Sequence, residues 1–282
     1  MTLAAVIQMN TGADRTCNLS RAAQLIAEAA DGGAQLAVLP ENFASMAASD
    51  AERLAAAEPD GTGPVQDFLA GTAARHGIWL VGGTLALRDR HAPLPAAACL
   101  IHDRDGRRVG RYDKIHLFDV ALPDRNESYH ESATIRAGSS PTLIDTPCGR
   151  LGIAVCYDLR FPELFRDLQE GGADGFAVPA AFTARTGQSH WEVLVRARAV
   201  ENLSFVLASA QCGIHPGGRR THGNSMIVDA WGEILGRAGD SEGIVLARLD
   251  LQRQRQIRDR FPALAHRRRR AGAATDHYTD EK

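Results

Sequence analysis

The chain predicts an α/β fold built on mixed sheets. Two patterns carry that prediction. In the first part of the chain, short apolar runs rich in β-branched residues alternate with helix-like segments, the order that sets helices against sheet faces. Further on, from about residue 204, the runs crowd together with turn residues between them. Residues 3–9 read as a first strand. Asn18 or Ser20 caps a helix from about 20 to 30, with Leu25, Ile26 and Ala29 on its apolar face and Asp31-Gly32-Gly33 closing it. Residues 36–39 form a second strand, and Pro40-Glu41-Asn42 follows directly. A helix carrying Val65, Phe68, Leu69 and Ala73 ends near His76-Gly77. Strands over 78–84 and 96–102 come next, and Asp103-Arg104-Asp105-Gly106 turns the chain into residues 109–114. Residues 151–155 read as a buried strand and 175–179 as another, with a helix over 189–202 and strands over 204–210, 224–229, 233–236 and 243–250. No repeat and no linker breaks this run, so the chain reads as one domain over 1–282, its last ~15 residues an extended tail.

Composition narrows the function. The 282 residues are 44% hydrophobic and 23% charged with a formal net charge of -2. That is enough chain for a large core, and the balance leaves no electrostatic footprint for nucleic acid or an anionic membrane. The arginine run 267–270 is short and stands near an acidic tail at 276–281, so it reads as a solvated terminus or dimer contact. The N-terminus lacks a basic segment followed by a long apolar core, so no signal peptide is expected. No run approaches the roughly 18 apolar residues of a spanning helix. The five cysteines, at 17, 99, 148, 156 and 212, are scattered without a C-x-x-C pair. That argues against a disulfide framework and a zinc site, and for reduced thiols in the cytoplasm. The ten histidines form no His-x-x-x-His pair on a clear helix.

Three side chains with chemistry stand just beyond strand-like segments: Glu41, Lys114 and Cys156. Ligand sites in α/β sheets form outside the carboxyl ends of strands, so the three can share one crevice. Cys156 lies where a buried strand turns towards a helix opened by Pro162. Unpaired backbone N–H groups at such a turn favour a thiolate and can hold an oxyanion. A carboxylate can serve the thiol as general base, and an ammonium can neutralise the oxyanion formed on attack at a carbonyl. Taken singly, each has an ordinary reading: packing for the cysteine, capping or solvation for the glutamate and lysine. Spacing alone does not bring them together.

Three stretches resemble the nitrilase (carbon-nitrogen hydrolase) superfamily and follow its order: Leu39-Pro40-Glu41-Asn42-Phe43, Tyr112-Asp113-Lys114-Ile115-His116-Leu117-Phe118-Asp119 and Cys156-Tyr157-Asp158-Leu159-Arg160-Phe161-Pro162-Glu163. The resemblance implies a four-layer αββα sandwich, usually dimerised, with a catalytic triad on Glu41, Lys114 and Cys156. It implies a second glutamate at Glu131, which helps position the lysine and the attacking water. Glu127-Ser128 nearly duplicates Glu131-Ser132, and the following Gly138 favours Glu131.

Within the superfamily, Ala181-Phe182-Thr183, His190-Trp191-Glu192, Arg196 to Asn202, Ala210-Gln211-Cys212-Gly213 and His266-Arg267-Arg268 resemble the branch containing deaminated-glutathione amidase. The implied reaction hydrolyses a terminal primary amide of a small linear acid, releasing ammonia through a thioester and needing no cofactor or metal. Deaminated glutathione ranks first as substrate and 2-oxoglutaramate second, while nitrilases and N-carbamoyl amino acid hydrolases share the triad. Lys114 and the Tyr157 backbone N–H would hold the oxyanion. Arg160, Arg219 and Arg220 are candidates for substrate carboxylates, although Arg160 can instead brace Asp158 or Glu163. Phe182 and Thr183 are candidates to line the pocket. Two readings of other classes stay open. One is a thiol redox sensor with Cys212 or Cys148 as resolving partner. The other is a non-catalytic binding module, which would be expected to lack one triad member.

Overall fold

Two β-sheets lie face to face, and helices cover the outer face of each, giving an αββα sandwich in the computed structural model, which describes residues 1–122 and 127–268. The first sheet runs Gly243–Leu249, Thr2–Gln8, Leu36–Val38, Trp79–Val81, Ala96–His102, Leu85–Arg88 and Glu58–Pro59, with Arg108–Asp113 also on Ala96–His102. The second runs Thr142–Thr146, Gly149–Ile153, Gly175–Ala180, Phe205–Ala210, Met226–Val228 and Ile234–Arg237. Both are mixed: the central pairs Thr2–Gln8/Leu36–Val38 and Gly175–Ala180/Phe205–Ala210 are parallel, Gly243–Leu249 and both edges of the second sheet pair antiparallel, and Glu58–Pro59 runs parallel to Leu85–Arg88 at the far edge of the first.

The strands are apolar on both faces because both faces are covered. Along Thr2–Gln8, Ala4 and Val6 enter the core between the sheets, whereas Ala5 and Ile7 pack with the helices Arg15–Asp31 and Pro64–His76. Cys99 and Ile101 split from Ala98 and Leu100 in the same way. On the far side, Leu164, Phe165 and Leu168 of Pro162–Glu170 and Trp191, Val195 and Ala199 of Ala184–Asn202 cover the second sheet.

Two helices begin earlier than the sequence pattern suggests. Asp14, not Asn18 or Ser20, caps Arg15–Asp31, its carboxylate accepting the Cys17 N–H at 3.0 Å. Asn18 is buried instead, bonded to the backbone of Gly12 and Ala44. The second is Ala184–Asn202, capped by Thr183. In both, the first turn is polar and precedes the apolar stripe that marks the helix. Gly77, at φ 60, ends Pro64–His76 as expected of a left-handed cap. The short helix Asp50–Ala55, the helix Leu251–Arg260 and the hairpin of Cys212–Ile214 with Arg220–His222 carry no strong periodicity that would mark them in the sequence. The expected tail lies outside the described residues. Among the described residues no helix is long and apolar enough to cross a membrane.

Candidate active site

The strand Leu36–Val38 delivers Glu41 at its carboxyl end, and the backbone there is held from three sides. Asn42, at φ 59, donates its N–H to Thr84 Oγ1 at 2.9 Å. Gln211 Nε2 donates to the Glu41 carbonyl at 3.0 Å. Gly83, at φ +56, lies so close beneath Pro40 that a Cβ would stand 2.2 Å from its carbonyl oxygen. Lys114 follows Arg108–Asp113, its N–H on Ala97 O at 3.0 Å and its carbonyl accepting from Gly138 N at 2.8 Å. A Cβ at Gly138 would come 2.1 Å from Asp113 O, which explains the glycine after Glu131 in physical terms.

Lys114 Nζ donates to Glu41 Oε1 at 2.8 Å and to Glu131 at 2.8 and 3.1 Å, with the lysine and Glu41 buried. Glu131 Oε2 also accepts the Phe118 N–H at 2.7 Å. Burial alone would lower the lysine pKa, but the charges of Glu131 and Glu41 outweigh it and hold the ammonium charged. Glu127 belongs to the strand Glu127–His130, and its side chain lies outside the described residues.

Cys156 opens the 3-10 turn Cys156–Arg160 at φ 49, a left-handed conformation that a non-glycine residue adopts at a cost of about 1–3 kcal/mol. Its sulfur lies beside the Ala181 backbone N–H and the Glu41 carboxylate. Burial and then the Glu41 charge push the thiol pKa up, against the smaller opposing effects of Lys114 and the Ala181 N–H. The resting group is therefore a neutral thiol rather than the thiolate expected from the turn, because desolvation outweighs the backbone donors.

Asp158 ties the two halves together. Its Oδ2 accepts from Tyr112 Oη at 2.7 Å and Val155 N at 2.8 Å; its Oδ1 accepts from His116 N at 3.1 Å and lies 2.6 Å from His116 Nδ1. The His116 ring stacks on Phe161 with centroids 3.7 Å apart. Cys156 sits between Val155 and Asp158, and Lys114 between Tyr112 and His116.

A cavity of about 780 Å³ opens over the thiol, with Glu41, Lys114 and Glu131 in its wall. Tyr157, Arg160, Phe182 and Thr183 also line it. Arg160 does not brace the turn through Asp158. Its Nη1 is 3.3 Å from His190 Nδ1, and its guanidinium lies 5.7 Å from the Tyr157 ring centroid and 5.4 Å from that of Phe182. Thr183 Oγ1 is engaged with Thr186 Oγ1 at 2.8 Å. Arg219, Arg220 and Arg53 line the cavity too. Arg220 opens the strand Arg220–His222. Arg53, unforeseen because its helix is short and polar, donates to Thr134 Oγ1 at 2.9 Å.

The carbon-nitrogen hydrolase family model matches residues 3–259. The chain belongs to the carbon-nitrogen hydrolase family. A protein named deaminated glutathione amidase from Yersinia enterocolitica is 42% identical over 265 residues, covering 94% of this chain and 92% of that one. The human protein of the same name is 39% identical over 269 residues, covering 94% and 82%. Nit3 of Saccharomyces cerevisiae, a member of branch 10 of the nitrilase superfamily, superposes with a TM-score of 0.85 at 32% identity over 95% of this chain and 96% of that one. In this carbon-nitrogen hydrolase, then, one buried corner holds a thiol, a neighbouring carboxylate and an ammonium held charged by two carboxylates. Such a corner can move a proton off sulfur and neutralise an oxyanion at the floor of an open cavity.

Proposed function

We propose that this carbon-nitrogen hydrolase is an amidase that hydrolyses deaminated glutathione, with 2-oxoglutaramate as a second substrate. The observation that carries the reading is Lys114, pinned between Glu41 and Glu131 beside a buried cysteine under a large cavity. The relatives named deaminated glutathione amidase support the choice of substrate.

In this mechanism Glu41 accepts the Cys156 proton as sulfur bonds to the amide carbon, the two moving together because the resting thiol is neutral. Lys114 Nζ and the Tyr157 N–H take the oxyanion, a contact of this type contributing about 3–4 kcal/mol. Glu131 keeps Lys114 in place. As the carbon–nitrogen bond breaks, Glu41 returns its proton to the departing amine, leaving a thioester. Water, losing a proton to Glu41, adds to the thioester carbonyl, and sulfur leaves and is reprotonated. In deaminated glutathione the scissile amide is substituted, so the amine released is cysteinylglycine. Ammonia, the product foreseen for a primary amide, is released from 2-oxoglutaramate. Both substrates leave the same 2-oxoglutaryl thioester and yield 2-oxoglutarate. Arg160, Tyr157, Phe182 and Thr183 surround the acyl chain.

The chemistry calls for no cofactor, and the whole chain acts as a single cytoplasmic domain. It works as a homodimer, in keeping with an exposed apolar set that includes Val193, Val200, Trp231 and Phe261. The test is product release from deaminated glutathione, 2-oxoglutaramate, a simple nitrile and an N-carbamoyl amino acid. Turnover of the first two is expected; turnover of the nitrile with silence on both amides would overturn the proposal. Cys156→Ala should abolish turnover, and hydroxylamine should divert the wild-type acyl group to a hydroxamate.

A further inference from the structure

We infer that Arg219 is the leaving-group subsite: its guanidinium binds the carboxylate of the amine-bearing fragment that departs, and so favours a dipeptide amide over a primary amide. The inference rests on the amide reading above. It adds a residue that distinguishes two substrates sharing one acyl-enzyme.

The departing amine must leave on a particular side of the cavity. It receives its proton from Glu41, so it departs along the wall that carries Glu41, Lys114 and Glu131. That wall sets two carboxylates against one ammonium. Ammonia can leave there freely. A dipeptide bearing its own terminal carboxylate meets an excess of negative charge, and needs a cation beyond Lys114 to be held. A cavity of about 780 Å³ falls within the roughly 300–1,000 Å³ of pockets that enclose drug-sized ligands, so it has room for the longer fragment.

Arg219 meets that need in three respects. It lines the cavity, and its guanidinium lies 5.4 Å from the Tyr129 ring centroid, on the segment that leads into Glu131. Its charge has no carboxylate partner among the described residues; Arg53, by comparison, pairs with Asp50. Its Nη2 donates to the Ala181 carbonyl at 2.9 Å, while its Nε is buried with no partner among the described residues. Buried polar atoms are satisfied in nearly all native structures, and a carboxylate is a natural acceptor for a guanidinium with donors to spare. The backbone holds it in place, because the Arg219 carbonyl accepts the His215 N–H at 2.8 Å across the turn Pro216–Gly218. Arg160, stacked between Tyr157 and Phe182 on the turn of the nucleophile itself, is left to the acyl side.

The same contact with Ala181 offers a rival role. The Ala181 backbone N–H lies beside the Cys156 sulfur, so Arg219 could act only as a brace. Two substrates with one acyl-enzyme separate the roles. kcat/KM would be measured for wild type, Arg219→Lys and Arg219→Gln on deaminated glutathione and on 2-oxoglutaramate, with cysteinylglycine as product inhibitor of each. The expected result is a selectivity ratio that falls about 10- to 100-fold in Arg219→Gln, the loss of a charged contact. Arg219→Lys should be intermediate, and inhibition by cysteinylglycine should weaken in parallel. Equal losses on both substrates would make Arg219 a brace and overturn the proposal, as would an unchanged ratio. Wild-type silence on both amides would instead sink the amide reading, and this inference with it.

Discussion

Replacing Asp158 by asparagine tests whether a single buried side chain sets the distance between nucleophile and ammonium. Asp158 is fully buried and accepts from Tyr112, Val155 and His116, the residues that flank Cys156 on one side and Lys114 on both. Asparagine has the same shape but turns an NH2 group towards donors. At least one buried donor then loses its acceptor, at about 1–3 kcal/mol, and the remaining bonds lose the assistance of charge. Because three bonds to one charged acceptor weaken together, the total is expected at about 3–5 kcal/mol. We therefore expect Asp158→Asn to lower unfolding free energy by about 3–5 kcal/mol in urea, with the slope unchanged. Tyr112→Phe deletes one charged-acceptor bond and should lose only about 1.5–3 kcal/mol. The catalytic consequence is separate. If the bracket sets the place of Lys114, a shift of about 1 Å should lower kcat on the order of 100-fold in the folded variant. An Asp158→Asn protein within about 0.5 kcal/mol of wild type, or one less stable but with undiminished kcat/KM, would refute the reasoning.

Two further predictions concern positions outside the chemistry. Gly83→Ala places a Cβ 2.2 Å from Pro40 O at φ +56, so it must push the Pro40-Glu41 backbone. It should destabilise the protein by more than about 1 kcal/mol and lower kcat, and thermal melts with rates on one preparation would expose a neutral outcome. His102 is the second case. Burial, with a smaller contribution from Arg108, depresses its imidazolium, lowering the pKa from 6.5 to about 4. The unfolded chain takes up the proton first, so stability present above pH 6.5 is lost as pH falls towards 4. A loss of about 2–3 kcal/mol is expected over that window, and His102→Gln should flatten it. Parallel urea midpoints for the two proteins from pH 7 to 4 would contradict the assignment.

What could be read from the sequence follows the range of the interactions involved. The segments bearing Glu41 and Cys156 announce themselves locally, each an apolar strand that stops at a proline or a polar turn, while the more polar strand Arg108–Asp113 before Lys114 is marked by the turn that precedes it. Their layering is legible for the same reason: strands such as Thr2–Gln8 are apolar at consecutive positions because each face meets a different layer. Arg53 escapes this logic, since Asp50–Ala55 buries no residue; Arg219 is legible as a candidate cation, but its hairpin is too short to show where it points. The state of the thiol escapes it more deeply. Backbone donors at the turn argue for a thiolate, and only the packed structure shows that burial and the neighbouring Glu41 charge exceed them. That reversal has a mechanistic consequence. On the proposed mechanism, a standing thiolate would need no base for attack, whereas a neutral thiol requires Glu41 for acylation as well as for hydrolysis of the thioester. In a single-turnover assay, Glu41→Gln is therefore expected to release no amine rather than to release it once and trap an acyl-enzyme; amine released at one equivalent would refute that role.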